Sequence, residues 1–543
     1  MSIGSASGKV TVSSEKPEKR GNAFADVVSG ASSVAIVYDK NATAQTILAA
    51  KELLGILRTL DADMYLVRED ELNEGEYVFE ILFGMTEAEE SLEFINSLGY
   101  NEYGIKVSGN RIAFVGWTEE AAALAYATIY EMVEHAFLNG TASCFDGAVY
   151  TGELSDLVYD EALRLDDLDS ITDVGEGAYM LYKLTSSKDD YEAYCEKLKA
   201  AGYALHTTNT INTVLFATYY NEDIVINVQY GGDNERSLRI VIEPMANTTL
   251  PMLAPPEDAN SDVTGSSISM LDHPNVADGN LCLVIQLSNG HFIIVDSNTN
   301  GTQKGISDFL KAKAPDGKPV IEAWILTHFH QDHIGGFIDF VSNSRCMRDV
   351  TIKSIIYNFP QRQVLSTAPG ATDQGNIAKF PIRLEKTGAT VYQARTGQKY
   401  YFGNAEVEIL WTYEDIMPHN VFTDRTNPTC IGFSITIEGQ KIMVTGDTSA
   451  EEFTAAYKKF GAYLKSDFVQ LSHHGYGDGG SPNEFYEFVD APYVLNSGMG
   501  KSYGAAERWA KDNAEKYFLR DELGTCTIPL PYNGGEFEFE MGQ

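Results

Sequence analysis

The chain has 543 residues, 44% of them apolar and 22% charged. This globular composition excludes a fibrous or wholly disordered protein, and at ~150 residues per domain the length suggests roughly three to four domains. Lys and Arg number 40 against 77 Asp and Glu, a formal net charge of −37; so negative a surface disfavours stable, extended nucleic-acid binding, which needs clustered Lys and Arg, but leaves a small phosphorylated or neutral substrate open.

Residues 1–29 are rich in Ser, Gly, Lys and Glu and read as a loose arm. Val34–Tyr38 reads as a short buried strand, and Ala44–Leu60 has helical apolar spacing at Ile47, Leu48, Leu53, Leu54 and Leu57. Met64–Val67, Tyr77–Phe83, Gly104–Val107 and Arg111–Val115 read as strands, with a hairpin turn at Ser108-Gly109-Asn110. Glu119–Phe137 is a second predicted helix. Residues 30–150 are therefore expected to form an α/β domain. In 155–250, strand Ala178–Leu184, helix Lys188–Ala201 and strands near Thr213–Tyr220, Ile224–Tyr230 and Ser237–Glu243 predict an α+β domain. Residues 251–268, rich in Pro, Ser and Asn, read as a linker or surface strap.

The last segment, 269–543, carries the chemistry. LCLVIQLSNGHFIIVDS is a predicted β-hairpin around Ser288-Asn289-Gly290. Gly305–Lys313 reads as a helix. Val320–Thr327 is a nearly continuous apolar strand, expected to be central and buried on both faces. An inserted stretch between Asn358 and Gly403 carries a Pro/Gly loop and a predicted helix over Asp373–Thr387. No run of about 18 apolar residues predicts a membrane-spanning helix. The N-terminus lacks the charged-then-apolar pattern of a signal peptide, which reads as cytoplasmic, or as extracellular if a leader has been removed. Six Cys stand singly with no CxxC pair, so they read as buried thiols and not as a disulfide framework or zinc site.

The strand over Val320–Thr327 runs directly into His328-Phe329-His330-Gln331-Asp332-His333-Ile334-Gly335-Gly336. His328 and His330, alternating from a strand end, can reach one metal. Asp332 and His333, past the turn, can reach a second. Imidazole and carboxylate donors without thiolate suit Zn²⁺, with Fe or Mn as alternatives. Further donors follow other predicted strands. GFSITIEGQKIMVTGDTS ends at Gly446-Asp447, and SDFVQLSHHGYGDGG carries His473-His474. Asp447, with two carboxylate oxygens, can bridge two cations. One of His473 and His474 can complete the second site, and periodicity does not decide which. Two cations together lower the pKa of a bound water toward ~7, the requirement for hydrolysis at neutral pH. Asp332 and Asp447 are the candidate catalytic carboxylates. Asp332, His473, His474 and Tyr476 are candidate acids for the leaving group, and Tyr476 and Asp478 candidates for the pocket wall. His135, His206, His273 and His291 have no partner at metal spacing and read as structural.

Two resemblances add to this reading. AAKELLGILRTLDADMYLV, EILFGMTE and YGIKVSGNRIAFVGWTEEAAALAYATIYEMVE resemble the accessory domain that precedes the catalytic barrel of β-hexosaminidases and α-glucuronidases. That resemblance implies a non-catalytic, glycan-directed module. Over about 270–543 the H-x-H-x-D-H motif, with DGNLCLVIQLSNGHFIIVDS, NPTCIGFSITIEGQKIMVTGD and LSHHG, resembles the metallo-β-lactamase superfamily. Within it, the chain looks closest to the hydrolase domain of DNA-uptake competence proteins and its phosphorylcholine-esterase relatives. The resemblance implies an αββα sandwich with two metals, one on His328 and His330, one on Asp332 and His333. It also implies that Asp447 bridges them and that a histidine of the His473/His474 pair binds the second. Many members carry one more metal-binding histidine upstream of the bridging aspartate. Here TDRTNPTCIGF has none, competence-type relatives have an Asn-centred segment matching Asn427, and His419 is a candidate substitute. Asn427, Tyr476 and His419 are the candidate substrate-binding residues.

The expected function is a binuclear metal-dependent hydrolase of a small phosphoester, with no Arg clamp for a polyanion: between Leu471 and Gly500 the only basic side chains are His473 and His474. The alternatives are a lactone or amide hydrolase with the same metals, and a glycan-binding surface protein with a vestigial hydrolase domain. The expected partner is a small-molecule or glycan-linked ester. Residues 1–250 hold no catalytic motif, so a chain starting near residue 262 is expected to keep turnover if it folds.

Overall fold

The computed structural model describes residues 33–116, 149–153, 163–257, 261–273, 279–359, 371–416, 427–476, 481–498 and 504–540, with short gaps between 41 and 101 and between 164 and 177. The expected arm, the expected helix Glu119–Phe137, His135, His419 and Asp478 lie outside the described residues. The chain divides into two compact units, Met1–Leu181 and Tyr182–Gln543.

In the first unit six strands form one sheet: β1 (Ser33–Tyr38), β2 (Asp63–Arg68), β3 (Phe79–Phe83), β4 (Glu102–Ser108), β5 (Arg111–Gly116) and β6 (Val149–Glu153), in the order β2-β1-β3-β5-β4-β6. The apolar run of β1 is buried because it pairs in parallel on both sides, with β2 and β3. β4 and β5 form the expected hairpin, turning at Gly109 with φ 56°. The helix α1 (Glu89–Asn96) carries Glu90, which with the buried Glu80 holds Arg111 at 3.0 and 2.7 Å. Strand β7 (Ser170–Gly175) follows, and β8 (Ala178–Lys183) runs across the boundary between the units.

The second unit opens with α2 (Lys188–Ala200), started by a reciprocal capping box between Ser187 and Asp190. Then come β9 (Ala204–Ile211), β10 (Val214–Tyr220), β11 (Ile224–Tyr230) and β12 (Leu238–Pro244), an antiparallel meander. Three of these strands match the sequence expectation. The edge strand β9 does not, because ALHTTNTI is polar and largely exposed and carries no apolar alternation.

Two larger sheets complete the unit. The first contains β13 (Ser267–Met270), β14 (Cys282–Gln286), β15 (Phe292–Asp296), β16 (Val320–Ile325), β17 (Thr351–Ile352), β18 (Ser354–Tyr357) and β19 (Thr390–Gln393). The second contains β20 (Lys399–Phe402), β21 (Ala405–Trp411), β22 (Gly432–Ile437), β23 (Gln440–Val444), β24 (Phe468–Gln470), β25 (Tyr493–Asn496) and β26 (Lys516–Leu519), in that order. The chain then returns to the first sheet with β27 (Thr525–Pro529) and β28 (Glu538–Glu540), giving the order β19-β18-β16-β15-β14-β13-β27-β28, with β17 beside β16. Strand alternation sets the layers. Leu283, Ile285, Ile293 and Val295 meet Val407, Ile409, Phe433 and Ile435 between the sheets. On the other face, Val284, Ile294 and Trp324 pack on α3 (Gln303–Lys313), α4 (Gln331–Ser342) and α5 (Ala371–Thr387). Leu410, Met443, Val469 and Val494 pack on α6 (Ala450–Phe460), α7 (Asn483–Val489) and α8 (Ala505–Asn513). The result is the expected αββα sandwich. Among the described residues no helix is long and apolar enough to cross a membrane.

Ile211, Val214 and Phe216 of the meander belong to the same apolar cluster as Trp411, Phe453 and Phe460 of the sandwich. Buried ion pairs reinforce that joint. Arg395 pairs with Glu243 of β12 and with Glu414, which also accepts two hydrogen bonds from Asn358 at 2.8 and 2.9 Å. Asp415 takes Arg239 at 3.1 Å and Lys459 at 3.0 Å, and Lys459 also reaches Glu235 at 2.8 Å. Burial works to raise the Asp415 carboxyl, but Arg239 and Lys459 hold it below its ordinary range. A chain starting near residue 262 would strip these partners from Arg395, Asp415 and Lys459. The meander thus belongs to the same compact unit as the sandwich, and whether a chain starting near residue 262 folds depends on the loss of these partners.

Two predictions follow from this joint and its neighbouring helix. Arg395→Ala leaves Glu243 and Glu414 buried without their cation, and denaturant unfolding should show a loss of about 3–5 kcal/mol. Lys304→Ala, which removes an exposed pair with Asp308, should leave stability nearly unchanged. In α6, burial pushes the Glu452 carboxyl up to about 8 from 4.5, against hydrogen bonds from its own backbone and from Ser449, whose hydroxyl lies at 2.8 Å. Between those two values the folded chain holds a proton that the unfolded chain has lost. This group's contribution to stability therefore falls as pH rises through that window, by at most about 1.4 kcal/mol per pH unit. Glu452→Gln should remove that slope from a stability–pH profile.

Candidate metal centre

The site lies where strands of both sheets end. β15 and β16 are parallel neighbours in one sheet; β23, β24 and β25 are parallel neighbours in the other. Their C-terminal ends present Asp296, His328, Asp447, the His473-His474 pair and Ser497 in turn. His330 is the N-cap of α4, and its carbonyl accepts the backbone N–H of His333 and Ile334, each at 3.0 Å. Asp332 and His333 therefore fall in the first turn of that helix. α4 can approach so closely because Gly336 has no side chain: a Cβ there would lie 1.9 Å from the Ser297 carbonyl oxygen. Gly446, at φ 56°, makes the turn that delivers Asp447. The Gln470 side chain secures that turn by accepting from the N–H of Thr445 and Gly446 at 2.9 and 2.8 Å.

Asp447 is 1% exposed and central. Its Oδ1 lies 3.1 Å from His333 Nε2, and its Oδ2 lies 3.7 Å from both His328 Nε2 and His474 Nε2. Asp332 Oδ2 is 3.0 Å from His474 Nε2 and 3.9 Å from His333 Nε2. Two overlapping donor groups result, each within 4.8 Å: Asp332, His333, Asp447 and His474, and His328, His330 and Asp447. The structure thus brings together His328, His330, Asp332, His333, Asp447 and His474. His473 stands just outside both groups, with Nε2 3.9 Å from Asp447 Oδ2. Both His473 and His474 have left-handed backbone, at φ 48° and 55°, a conformation that costs a non-Gly residue energy and recurs at functional sites.

The far sides of the rings are held. His333 Nδ1 donates to Asp296 Oδ2 at 2.7 Å, and Asp296 also accepts from the Thr327 N–H and hydroxyl at 2.8 and 2.7 Å. His474 Nδ1 pairs with the Ser497 hydroxyl at 2.9 Å. His328 Nδ1 lies 3.1 Å from the Thr327 hydroxyl. These contacts turn the Nε2 atoms inward. There, His328 Nε2, His333 Nε2 and both oxygens of Asp447 are buried without a hydrogen-bond partner among the described residues. A buried carboxylate ringed by imidazoles, with no hydrogen-bond partner among the described residues, calls for positive charge, and the donor set fits a transition metal. The electrostatics agree. Burial would raise Asp447, but His333 and His474 hold it well below the usual carboxylate range. Burial works to lower His333, yet Asp447, Asp296 and Asp332 lift it well above its ordinary value. Burial and the neighbouring His333 push His328 well below its own.

Asn427 begins a short 3-10 turn, Asn427–Thr429, and its carbonyl accepts from Cys430 N–H at 3.1 Å. Its Oδ1 is buried without a hydrogen-bond partner among the described residues. The Tyr476 ring lies 6.1 Å from the rings of both His473 and His474. Sequence reasoning missed Asp296, Thr327, Ser497 and Cys430, whose sulfur accepts the Asp447 N–H at 3.2 Å. Asp296 did carry a signal: like Asp447, it is a lone acid closing an apolar strand. His206 and His291 are occupied elsewhere, by the Pro251 carbonyl at 2.9 Å and by Glu322.

Comparison with family models matches residues 276–479 to the metallo-beta-lactamase superfamily. No curated protein matches the chain. Among solved structures, CmlA, a diiron beta-hydroxylase from Streptomyces venezuelae, is 14% identical with a TM-score of 0.31, covering 49% of this chain and 54% of its own. A metallo beta lactamase from Hirschia baltica is 12% identical with a TM-score of 0.22, covering 58% of this chain and 98% of its own. The flavodiiron protein from Giardia intestinalis is 12% identical with a TM-score of 0.24, covering 44% and 51%. The match to the hydroxylase spans about half of that protein's length. The matched family segment contains every member of both donor groups, and residues 276–479 form a metallo-beta-lactamase superfamily domain.

Proposed function

We propose that this domain is a metal-dependent hydrolase of small phosphoesters with two zinc ions, one on His328, His330 and Asp447, the other on Asp332, His333, His474 and Asp447. The observation that carries the proposal is the buried Asp447 carboxylate, with both oxygens unpartnered among the described residues and imidazole Nε2 atoms turned toward it. Two bound cations supply polarisation of an ester oxygen and a water acidified to a pKa of about 7. The chain's own residues do the rest. Asp296, Thr327 and Ser497 fix the imidazole tautomers and ring planes. His474 takes the ligand role of the His473-His474 pair, because it alone of the two falls within a donor group. His473, more exposed and 3.9 Å from Asp447, is left to face substrate and to give a proton to the leaving oxygen, with Tyr476 beside it.

The preference for a phosphoester rests on the likeness of the motif segments to competence-type and phosphorylcholine-esterase domains. The charge of −37 and the lack of Lys or Arg between Leu471 and Gly500 favour a substrate with a single phosphate over a long polyanion. The likeness of residues 30–150 to a glycan-directed accessory module supports a glycan-linked ester as the natural form of that substrate.

Elemental analysis of the purified chain should find two transition-metal equivalents. Asp447→Ala should lose both together, and His328→Ala should lose one preferentially. Asp296→Asn should weaken metal affinity by about 10–100-fold while leaving every ligand in place. A chain that takes up no transition metal on reconstitution overturns the metal reading. For substrate, rates on p-nitrophenyl phosphodiesters and phosphorylcholine esters should exceed those on homoserine lactones and single-stranded DNA. Preferred lactone cleavage would reverse the substrate assignment and leave the metal centre standing.

A further inference from the structure

A second cavity, of about 510 Å³, lies between α3 and the strand ends at Leu271–His273, Thr525–Thr527 and β28. No member of either donor group lines it. Its volume is in the range of small-molecule sites. We infer that this cavity binds a small organic ammonium ion with an apolar or aromatic body. The inference is independent of the hydrolase reading.

Three features point to that chemistry. The first is unsatisfied polarity in the wall. Asn298 is 1% exposed, and its Oδ1 has no hydrogen-bond partner among the described residues; His273 Nδ1, also in the lining, has none either. A buried acceptor without a donor is costly, and a ligand N–H relieves that cost. The second is charge. Asp272 lies 3.5 Å from Arg520 and Glu538 lies 3.0 Å from Lys313, so those acids are compensated. Glu540, also in the wall, has no such pair among the described residues and leaves an excess of negative charge. The third is aromatic surface. Phe309 lines the cavity and already has the Lys313 ammonium 6.0 Å from its ring centre. Phe539, 54% exposed, offers a second ring at the rim. Ring faces attract cations and stack on apolar bodies.

Gly305 keeps the space open. A Cβ there would meet only the His273 ring, at 3.7 Å, an ordinary contact, so a side chain can start at this lining position without a clash. Asn298 also ties the cavity wall to the metal domain's working helix: its carbonyl accepts from Gly336 of α4 at 3.1 Å.

The test is calorimetric titration of the full chain with 2-phenylethylamine hydrochloride, 2-phenylethanol and 3-phenylpropanoate. The amine should bind saturably and at least about tenfold more tightly than the alcohol or the acid. Gly305→Leu and Ala312→Phe, which fill the cavity from two points, should each weaken amine binding by at least about tenfold with metal content unchanged. That control separates the cavity from an amine ligating the metals. Glu540→Gln, at an exposed position, should weaken binding severalfold. Absence of saturable amine binding at millimolar concentration, equal binding of the alcohol, or undiminished binding in the folded filled variants overturns the inference. If neither filled variant folds, an unchanged affinity in Glu540→Gln overturns it.

Discussion

A carboxylate sealed from water, with imidazoles and no hydrogen bond to satisfy it, is the constraint around which the second unit is arranged. Asp447 is almost wholly closed to solvent, and neither oxygen has a hydrogen-bond partner among the described residues. Such a group is tolerated only where positive charge is held close by. Supplying it requires histidines from two sheets to meet within a few ångströms of one point. The parallel strands β15–β16 and β23–β25 do this, since their C-terminal ends share one rim of the sandwich. The glycines at 336 and 446 and the left-handed turn at His473-His474 are the local consequences. Each bends or thins the backbone where an ordinary side chain or conformation would hold the donors apart.

A second set of buried charges solves a different problem. The meander β9–β12 offers the sandwich a face that is partly apolar and partly ionic. Arg395, Arg239 and Lys459 on one hand, Glu243, Glu414, Asp415 and Glu235 on the other, form a joint with one acid in excess. Buried pairs of this kind add little net stability over apolar packing, but breaking one is costly because its partner stays behind. The joint is therefore selective: it tolerates one docking of the meander and penalises shifted ones. Asp415 is the common point, and it also accepts from the Thr412 N–H and the Thr396 hydroxyl, at 3.0 and 2.6 Å. The turn that follows β21 is thus shaped by the same charge that receives the meander.

The centre was legible in the sequence to the extent that its residues are contiguous. His328, His330, Asp332 and His333 sit on one strand–turn–helix, where spacing alone predicts convergence. Asp447 was legible because it ends an apolar strand. The choice between His473 and His474 was not, since a left-handed turn obeys neither strand nor helix periodicity. Asp296 closes an apolar strand just as Asp447 does, but it was overlooked because it works through the ring of His333, 37 positions away. The meander's membership in the second unit was hidden for the same reason: Arg395 and Glu243 are 152 positions apart. Pro- and Ser-rich composition at 251–268 reads as a linker or a surface strap, and composition does not report whether the elements on either side pack together.

The departure from the superfamily pattern upstream of Asp447 has a structural counterpart. The donor group around His333 has four members, while that around His328 has three. Asn427 stands where the resemblance would place a histidine, and its carbonyl is used to set the turn that brings Cys430 under the Asp447 N–H. That turn works on the backbone alone, so the side chain at 427 is free of a structural duty in it. A cation with three protein donors has more coordination positions left for water or substrate than one with four. On the proposed reading the asymmetry would give the two positions different work: the four-donor position would hold its ion more tightly, and the three-donor position would be the one open to substrate.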